Sequence, residues 1–175
     1  MPVVIKPATE GSSIGISLAR TLDELEAGLA AAFHYDAQVL VEEFIEGTEI
    51  TGAVLGNATP QALPLVEICP ADHYTFFDYD AKYQPGASQE ICPARLDPEV
   101  AKRAQTCALK AHQALGCRGY SRTDMIVRDD KIYVLETNTI PGMTATSLFP
   151  QAAKAAGVEF PALLDRLIEL ALEKE

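Results

Sequence analysis

Two tripeptides in the second half of the chain, Arg122-Thr123-Asp124 and Glu136-Thr137-Asn138, put a guanidinium, two carboxylates and a carboxamide into two neighbouring runs that read as strands. Carboxylates facing one another across a ladder repel, so such a pair needs a cation or protons to be tolerable. An all-oxygen donor set of this kind suits Mg²⁺, which takes one or two carboxylates and keeps its other positions for water and substrate phosphate. On these residues alone the competing reading is a solvent-facing, charged strand edge.

What must position them is a hairpin. The runs over 119–128 and 131–139 are rich in Tyr, Ile, Val, Thr and Leu, and the polar Arg128-Asp129-Asp130-Lys131 between them signals a turn. Register then decides the chemistry, because a slip of one residue sends every side chain to the other face. A loop of two residues at Asp129-Asp130 sets Asp124 opposite Leu135 and separates it from Glu136. A loop of three puts Asp124 opposite Glu136 and Arg122 opposite Asn138, with Met125, Val127, Tyr133 and Leu135 on the reverse face as core. The second register, with the longer loop, is the one expected here.

The chain has 175 residues, 48% of them hydrophobic, enough for one sizeable core or two small lobes. A net charge of −11 argues against binding to a nucleic-acid backbone as its main business. Cys69, Cys92, Cys107 and Cys117 show neither CxxC nor Cys/His spacing, so reduced thiols in a cytoplasmic protein are expected. No apolar run is long enough to span a membrane, and no signal-peptide pattern opens the chain.

Several further elements can be read. The N-terminal run over 1–7 is strand-like with no preceding partner, which leads us to expect that something upstream has been removed. The small-residue loop after it, 8–15, offers hydroxyls and backbone donors that could fold over phosphate with Lys6 at its base, or could be a plain Gly/Ser turn. It is neither a P-loop nor a GxGxxG fingerprint. Thr21 and Glu24 form a capping box for a helix over 21–33 with Leu22, Leu25, Leu29 and Phe33 on its apolar stripe. Strands follow over 38–44, 49–55 and 62–68. Asp97-Pro98 opens a helix that runs to Gly116, with Val100, Ala104, Cys107, Ala111 and Leu115 on its apolar side. A last helix over 160–172 carries Phe160, Leu163, Leu164, Leu167, Ile168 and Ala171 on one core-facing stripe. The aromatic, aperiodic stretch over 72–89 reads either as a lid, with Lys82 near phosphate and Tyr83 orienting a substrate, or as a packed surface loop.

These residues carry a resemblance. VIKPATEGSSIG at 4–15, VEEFI at 41–45 with Gly47 and Glu49, DYDAKY at 78–83, GCRG at 116–119, Arg122-Thr123-Asp124, and ETNTIPGMT at 136–144 followed by Ser147-Leu148 resemble consecutive blocks of the D-alanine–D-alanine ligases, in family order over essentially the whole chain. The resemblance implies an α+β ATP-grasp fold in which two lobes hold ATP between them. Residues 1–46 would be part of the small lobe and 47–175 the large one, an antiparallel sheet with flanking helices.

It further implies that Lys6 contacts the nucleotide phosphates and that the loop holding Ser12 and Ser13 covers them. Glu42, Glu43 and Ile45 would take adenine, Glu49 the ribose, and Lys82 the γ-phosphate. Asp124, Glu136 and Asn138 would ligate two Mg²⁺ ions, with Mn²⁺ an alternative. One D-alanine carboxylate would attack the γ-phosphate to give an acyl phosphate, and the amine of a second D-alanine would attack that carbonyl, for peptidoglycan precursor synthesis. Arg122 suits the oxyanion of the second step. Gly142, Ser147 and Leu148 would hold the second amino acid, and Tyr83 with Ser12 would link lid to phosphate loop. A homodimer is part of the same implication, as is the absence of membrane or nucleic-acid partners.

The family's N-terminal domain and another phosphate-contacting lysine have no counterpart in this sequence, so the 175-residue chain alone is expected to have little ligase activity. Two alternatives stay open. One is a non-catalytic nucleotide- and Mg²⁺-binding module; the other is an ATP-grasp carboxylate–amine ligase with a different acceptor, against which the blocks at 78–83 and 142–148 argue.

Overall fold

The structure, a computed structural model, describes residues 2–11, 13–70 and 88–173. It divides into two compact units, one comprising Met1–Glu46 and the described part of Pro70–Gln89, the other Gly47–Cys69 and Glu90–Glu175.

In the first unit β1 (Val3–Pro7) is the middle strand of three, with β2 (Ser17–Ala19) and β3 (Val39–Glu43) antiparallel on either side. The opening run therefore finds both of its partners downstream, one of them a three-residue strand too short to be read from pattern. Helix α1 (Leu22–Ala32) starts at the expected capping box: Thr21 Oγ1 accepts from the Glu24 amide at 3.2 Å, and the Glu24 carboxylate reaches back to the Thr21 amide at 3.3 Å. It covers one face of the sheet through Leu25, Leu29 and Ala32, against Val3, Ile5, Ala19 and Val39. Gly28 lets it sit close, since a Cβ there would strike the side chains of Ile5 and Ser17. Leu22 and Phe33 do not belong to that stripe: they stand at the two ends of the helix, beyond the small sheet, and are exposed.

The second unit is built on a six-stranded sheet in the order β7-β6-β4-β8-β9, with β5 paired to β4. These are β4 (Thr48–Leu55), β5 (Gln61–Ala62), β6 (Val66–Pro70), β7 (Ser88–Ile91), β8 (Tyr120–Arg128) and β9 (Lys131–Asn138). The expected strand over 62–68 is thus two pieces, interrupted at Leu63-Pro64-Leu65, where proline has no N–H to give a ladder. Helix α2 (Pro98–Ala114) packs on one face, with Ala104 and Ala108 against Ile50, Val54, Leu65 and Met125. Gly52 admits it closely, since a Cβ would come within 2.8 Å of the Ala108 Cβ. Leu115, expected on its apolar side, caps the helix and is exposed. On the other face α3 (Leu148–Ala155) and α4 (Phe160–Leu172) bury Phe149, Ala152, Ala153 and Leu163 over Ala53, Leu63 and Val66.

Two further expectations are corrected, one of packing and one of the hairpin. In α4 the buried side chains are Leu163 and Leu170, with Leu167 packed beside them, while Leu164 and Ile168 face outward. With apolar residues this dense, periodicity did not say which side the partner elements would take.

The hairpin is the second correction. Arg128 pairs directly with Lys131, so the loop is the two-residue one, and Asp129 and Asp130 both adopt left-handed conformations (φ 49° and 60°), the signature of a type I′ turn. Asp124 nevertheless faces Glu136 and Arg122 faces Asn138. The extra residue lies further along: Met125 pairs with Val134 and Asp124 with Glu136, which leaves Leu135 unpaired as a β-bulge. The expected register is right and the expected loop is wrong. Between turn and bulge the alternation is shifted, so Tyr133, opposite Ile126, lies on the Asp124 face, where its hydroxyl accepts from Arg128 Nη2 at 2.8 Å. Leu135 is 39% exposed and is not core.

On β6, between β7 and β4, Glu67 is 6% exposed and holds Arg95 by its backbone N–H, Nε and Nη2 at 3.0, 3.0 and 2.7 Å. The guanidinium bonds hold the Glu67 carboxyl down at about 2. A carboxyl depressed by folding contributes stability above its unfolded value of 4.5, and the contribution is lost as pH falls from there through about 2. Chemical denaturation from pH 7 to pH 2.5 should show Glu67→Gln less stable at neutral pH by on the order of 1–2 kcal/mol, with Arg95 partly screened by solvent, and the gap closing in acid. A gap constant with pH would show that the pair is not its source.

Candidate functional site

On β4, β8 and β9 the alternation of the sheet gathers Glu49, Thr51, Arg122, Asp124, Glu136 and Asn138 on one face, beside the part that α3 and α4 cover. Asp124 is held through both of its oxygens. Its Oδ1 accepts from Thr51 Oγ1 at 2.7 Å and from Arg122 Nε at 2.9 Å, while Oδ2 accepts from Arg122 Nη2 at 2.7 Å. Arg122 and Asp124 are two apart on one strand, so their side chains leave the same face and meet as a two-pronged pair, at 16% and 14% side-chain exposure. Arg122 thereby supplies a positive charge beside the opposed carboxylates. Beneath them, on the α2 side, Thr123 and Thr137 hydroxyls join the two strands at 3.0 Å.

The donor chemistry fits a hard divalent cation. Asp124, Glu136 and the Asn138 carboxamide present oxygen only, and two carboxylates with room for water and phosphate is the usual protein share for Mg²⁺. Among the described residues no group of three or more His, Cys, Asp or Glu is placed to hold a metal ion, so the donor set here rests on two carboxylates and a carboxamide. Thr51 is a residue that sequence reasoning missed; a threonine within β4 carries no local signal, and only the β4–β8 pairing brings it opposite Asp124.

In the first unit Lys6 and Glu42 lie on the sheet face away from α1, and Lys6 Nζ stands 2.7 Å from Glu42 Oε2. Lys6 pairs across the ladder with Leu40 and Val4 with Glu42, so the ion pair is a diagonal one. Glu43 follows at the end of β3, and Ile45 just beyond it is buried. After β1 the loop turns through Ser13 and Gly15, both left-handed (φ 61° and 71°), with Ile14 N–H donating to Gly11 O at 3.1 Å.

Gly142, Ser147 and Leu148 also come together. Ser147 precedes the first residue of α3 but does not cap it; its hydroxyl instead accepts from the Thr144 amide at 3.1 Å and lies 2.8 Å from Thr144 Oγ1. Gly142 is drawn against it, since a Cβ there would come within 3.1 Å of the Ser147 Oγ. The amides of Leu148 and Phe149 therefore open α3 with no side-chain cap, an arrangement that favours a carboxylate. Ser12, Lys82 and Tyr83, and the expected lid with them, lie outside the described residues. His112 Nδ1 and Ser121 Oγ stand 2.8 Å apart under α2, at 1% and 0% exposure, which rules them out as a base and nucleophile for an external substrate.

If Arg122 is what makes the opposed carboxylates tolerable, Arg122→Met should lose about 1–3 kcal/mol of stability at neutral pH, and millimolar Mg²⁺ should restore more of it than it adds to the wild type. Thermal melts with and without Mg²⁺ check this. Equal Mg²⁺ effects in both proteins would show that no cation shares those oxygens.

The family described as D-ala D-ala ligase C-terminus matches residues 1–169. The D-alanine–D-alanine ligase of Syntrophobacter fumaroxidans is 64% identical over 99% of this chain and 56% of its own length, and that of Desulfotalea psychrophila 60% identical over 99% and 55%. The chain thus spans about half the length of the curated relatives it matches. Among solved structures, the Bacillus anthracis D-alanine–D-alanine ligase complexed with ATP is 35% identical with a TM-score of 0.83, over 98% of this chain and 53% of that one. A D-Ala:D-Ser ligase from Enterococcus faecalis is 40% identical with a TM-score of 0.85, over 98% and 50%. These neighbours bear out the α+β, ATP-grasp reading, and the chain belongs to the D-alanine–D-alanine ligase C-terminal family.

Proposed function

We propose that this chain is the ATP- and Mg²⁺-binding part of a cytoplasmic ligase that joins two D-alanines in peptidoglycan precursor synthesis. The observation that carries the reading is the one-face grouping of Glu49, Arg122, Asp124, Glu136 and Asn138, with Asp124 and Glu136 directly opposed. Among the described residues no helix is long and apolar enough to cross a membrane.

Lys6 and Glu42 satisfy one another at 2.7 Å, and under this reading each exchanges that bond for a group on ATP. The ammonium goes to a phosphate, and the carboxylate accepts from the adenine amine beside Glu43 and Ile45. Glu49 takes the ribose hydroxyls. Asp124, Glu136 and Asn138 would hold Mg²⁺ (or Mn²⁺), which would supply positive charge to the transferring phosphoryl oxygens. Thr51 keeps Asp124 oriented through its hydroxyl when the guanidinium of Arg122 turns toward an oxyanion. The Gly142–Ser147 contact and the uncapped start of α3 at Leu148 hold the carboxylate of the second amino acid. Ser12, Lys82 and Tyr83 complete the proposed set on the phosphate loop and lid.

A second reading concerns the acceptor, since a D-Ala:D-Ser ligase is among the structural neighbours. Titration calorimetry of the 175-residue chain with a non-hydrolysable ATP analogue should show Mg²⁺-dependent binding that Lys6→Met and Glu136→Gln each weaken by about tenfold or more. Joined behind the preceding segment of the Syntrophobacter ligase, the chain should form D-Ala-D-Ala in preference to D-Ala-D-Ser or D-Ala-D-lactate, while alone it should form little. Mg²⁺-independent nucleotide binding would contradict the metal assignment, and turnover by the chain alone would contradict the need for that segment.

A further inference from the structure

The connection between α1 and β3, a stretch with no part in any motif, reaches the 8–15 loop from below at both of its ends. At the entry, Asp36 collects three donors: its Oδ2 accepts from the Thr9 amide at 2.8 Å and from Thr9 Oγ1 at 2.6 Å, and its Oδ1 accepts from the Gln38 amide at 2.9 Å. The Ala8 amide donates to Gln38 O at 3.0 Å, so the chain is laced to β3 one step past the end of β1. At the exit, Gly15 in its left-handed conformation (φ 71°) lies on the ring of Tyr35 and on Pro7; a Cβ there would come within 2.8 Å of each. Tyr35 and Asp36 are themselves fixed by hydrogen bonds that their backbone amides donate to Ala32 O, at 3.0 and 3.2 Å, at the end of α1.

We propose that Asp36 is a positioning residue for nucleotide binding: through Thr9 it holds the 8–15 loop in the conformation that presents its backbone and hydroxyl donors to phosphate. The proposal rests on the phosphate reading of that loop and goes beyond it, since Asp36 touches no ligand itself. The physical need is plain. A loop with Gly11, Ser13 and Gly15 has many conformations of similar energy, and donors that must be ordered when the anion arrives add that ordering to the cost of binding. A bracket that orders both ends beforehand removes part of the cost. A carboxylate suits the task because it accepts all three donors at once, and the hydrogen bonds from Thr9 and Gln38 hold its pKa below the ordinary range, so it stays ionised. An asparagine has one acceptor oxygen, so its carboxamide NH2 donor would face either the Thr9 donors or the Gln38 amide.

The test uses the 175-residue chain, with amide hydrogen exchange over 8–16 and affinity for a non-hydrolysable ATP analogue read on the same variants. Asp36→Ala and Thr9→Val should speed exchange of the loop and weaken nucleotide affinity, by about tenfold for Asp36→Ala, with melting temperature little changed. Asp36→Asn should fall between, and Thr9→Ser, which keeps both donors, should restore wild-type behaviour. A merely structural aspartate would move the melting temperature and leave affinity per folded molecule untouched, and that result overturns the proposal. So does wild-type exchange in Asp36→Ala. If instead the wild type binds no nucleotide while its loop exchange still depends on Asp36, the phosphate reading fails and the bracket stands, which keeps the two failures apart.

Discussion

The opposition of Asp124 and Glu136 across β8 and β9 is the constraint on which the second unit's chemistry depends, and nothing about it is free of tension. Like charges at a directly opposed pair destabilise a ladder. The structure meets this with Arg122, one step along the same strand and face, whose guanidinium takes both oxygens of Asp124, and with the Thr51 hydroxyl from the neighbouring strand. The register that creates the pair is fixed from two places. The tight turn at Asp129-Asp130 starts the ladder one residue short, and the bulge at Leu135 makes up the difference before Asp124 is reached. Without the bulge, Leu135 would face Asp124. Bulges next to functional positions commonly re-aim side chains, and this one brings Glu136 and Asn138 to the face where Asp124 and Arg122 already stand.

The first unit answers a different problem with little material. Three short strands and one helix provide a single buried side, closed by Ile5, Ala19 and Ala32, and leave Lys6 and Glu42 on the other. The ion pair there joins two groups that polar ligand chemistry would also use, so it keeps both charges satisfied at small cost to exchange. The loop between β1 and β2 has no core of its own and depends on the stretch after α1, where Tyr35 and Asp36 meet its two ends. The two units thus use the same device, a carboxylate that collects several donors at once: Asp124 from the Arg122 and Thr51 side chains, and Asp36 from Thr9 and the Gln38 amide.

Much of this was legible in the residues. Thr21 and Glu24 announced the start of α1, and Asp97-Pro98 that of α2, because capping chemistry is local. The Asp124–Glu136 register was legible as an outcome, since only one register places all the polar groups together. Its route was not, because a bulge is a long-range compromise between a turn and a ladder and leaves no mark in the alternation of Val134, Leu135 and Glu136. Thr51 and Asp36 were invisible for a related reason. Each acts through a partner 73 or 27 residues away, and an isolated threonine or aspartate says nothing about who will meet it. In α4 the failure was one of excess, with apolar residues on nearly every side and only the packing of Leu163 and Leu170 to show which face is covered.

The claim that holds these observations together is that Asp124, Glu136 and Asn138 form one cation site. A titration of the chain with Mn²⁺, followed by paramagnetic broadening of backbone amide resonances, tests it most directly. The account predicts that the resonances of Asp124, Glu136 and Asn138 broaden together and first, at Mn²⁺ levels that leave the acidic residues of α1 and α4 sharp, and that excess Mg²⁺ reverses the effect. Broadening spread over the acidic surface with no preference for these three would contradict it.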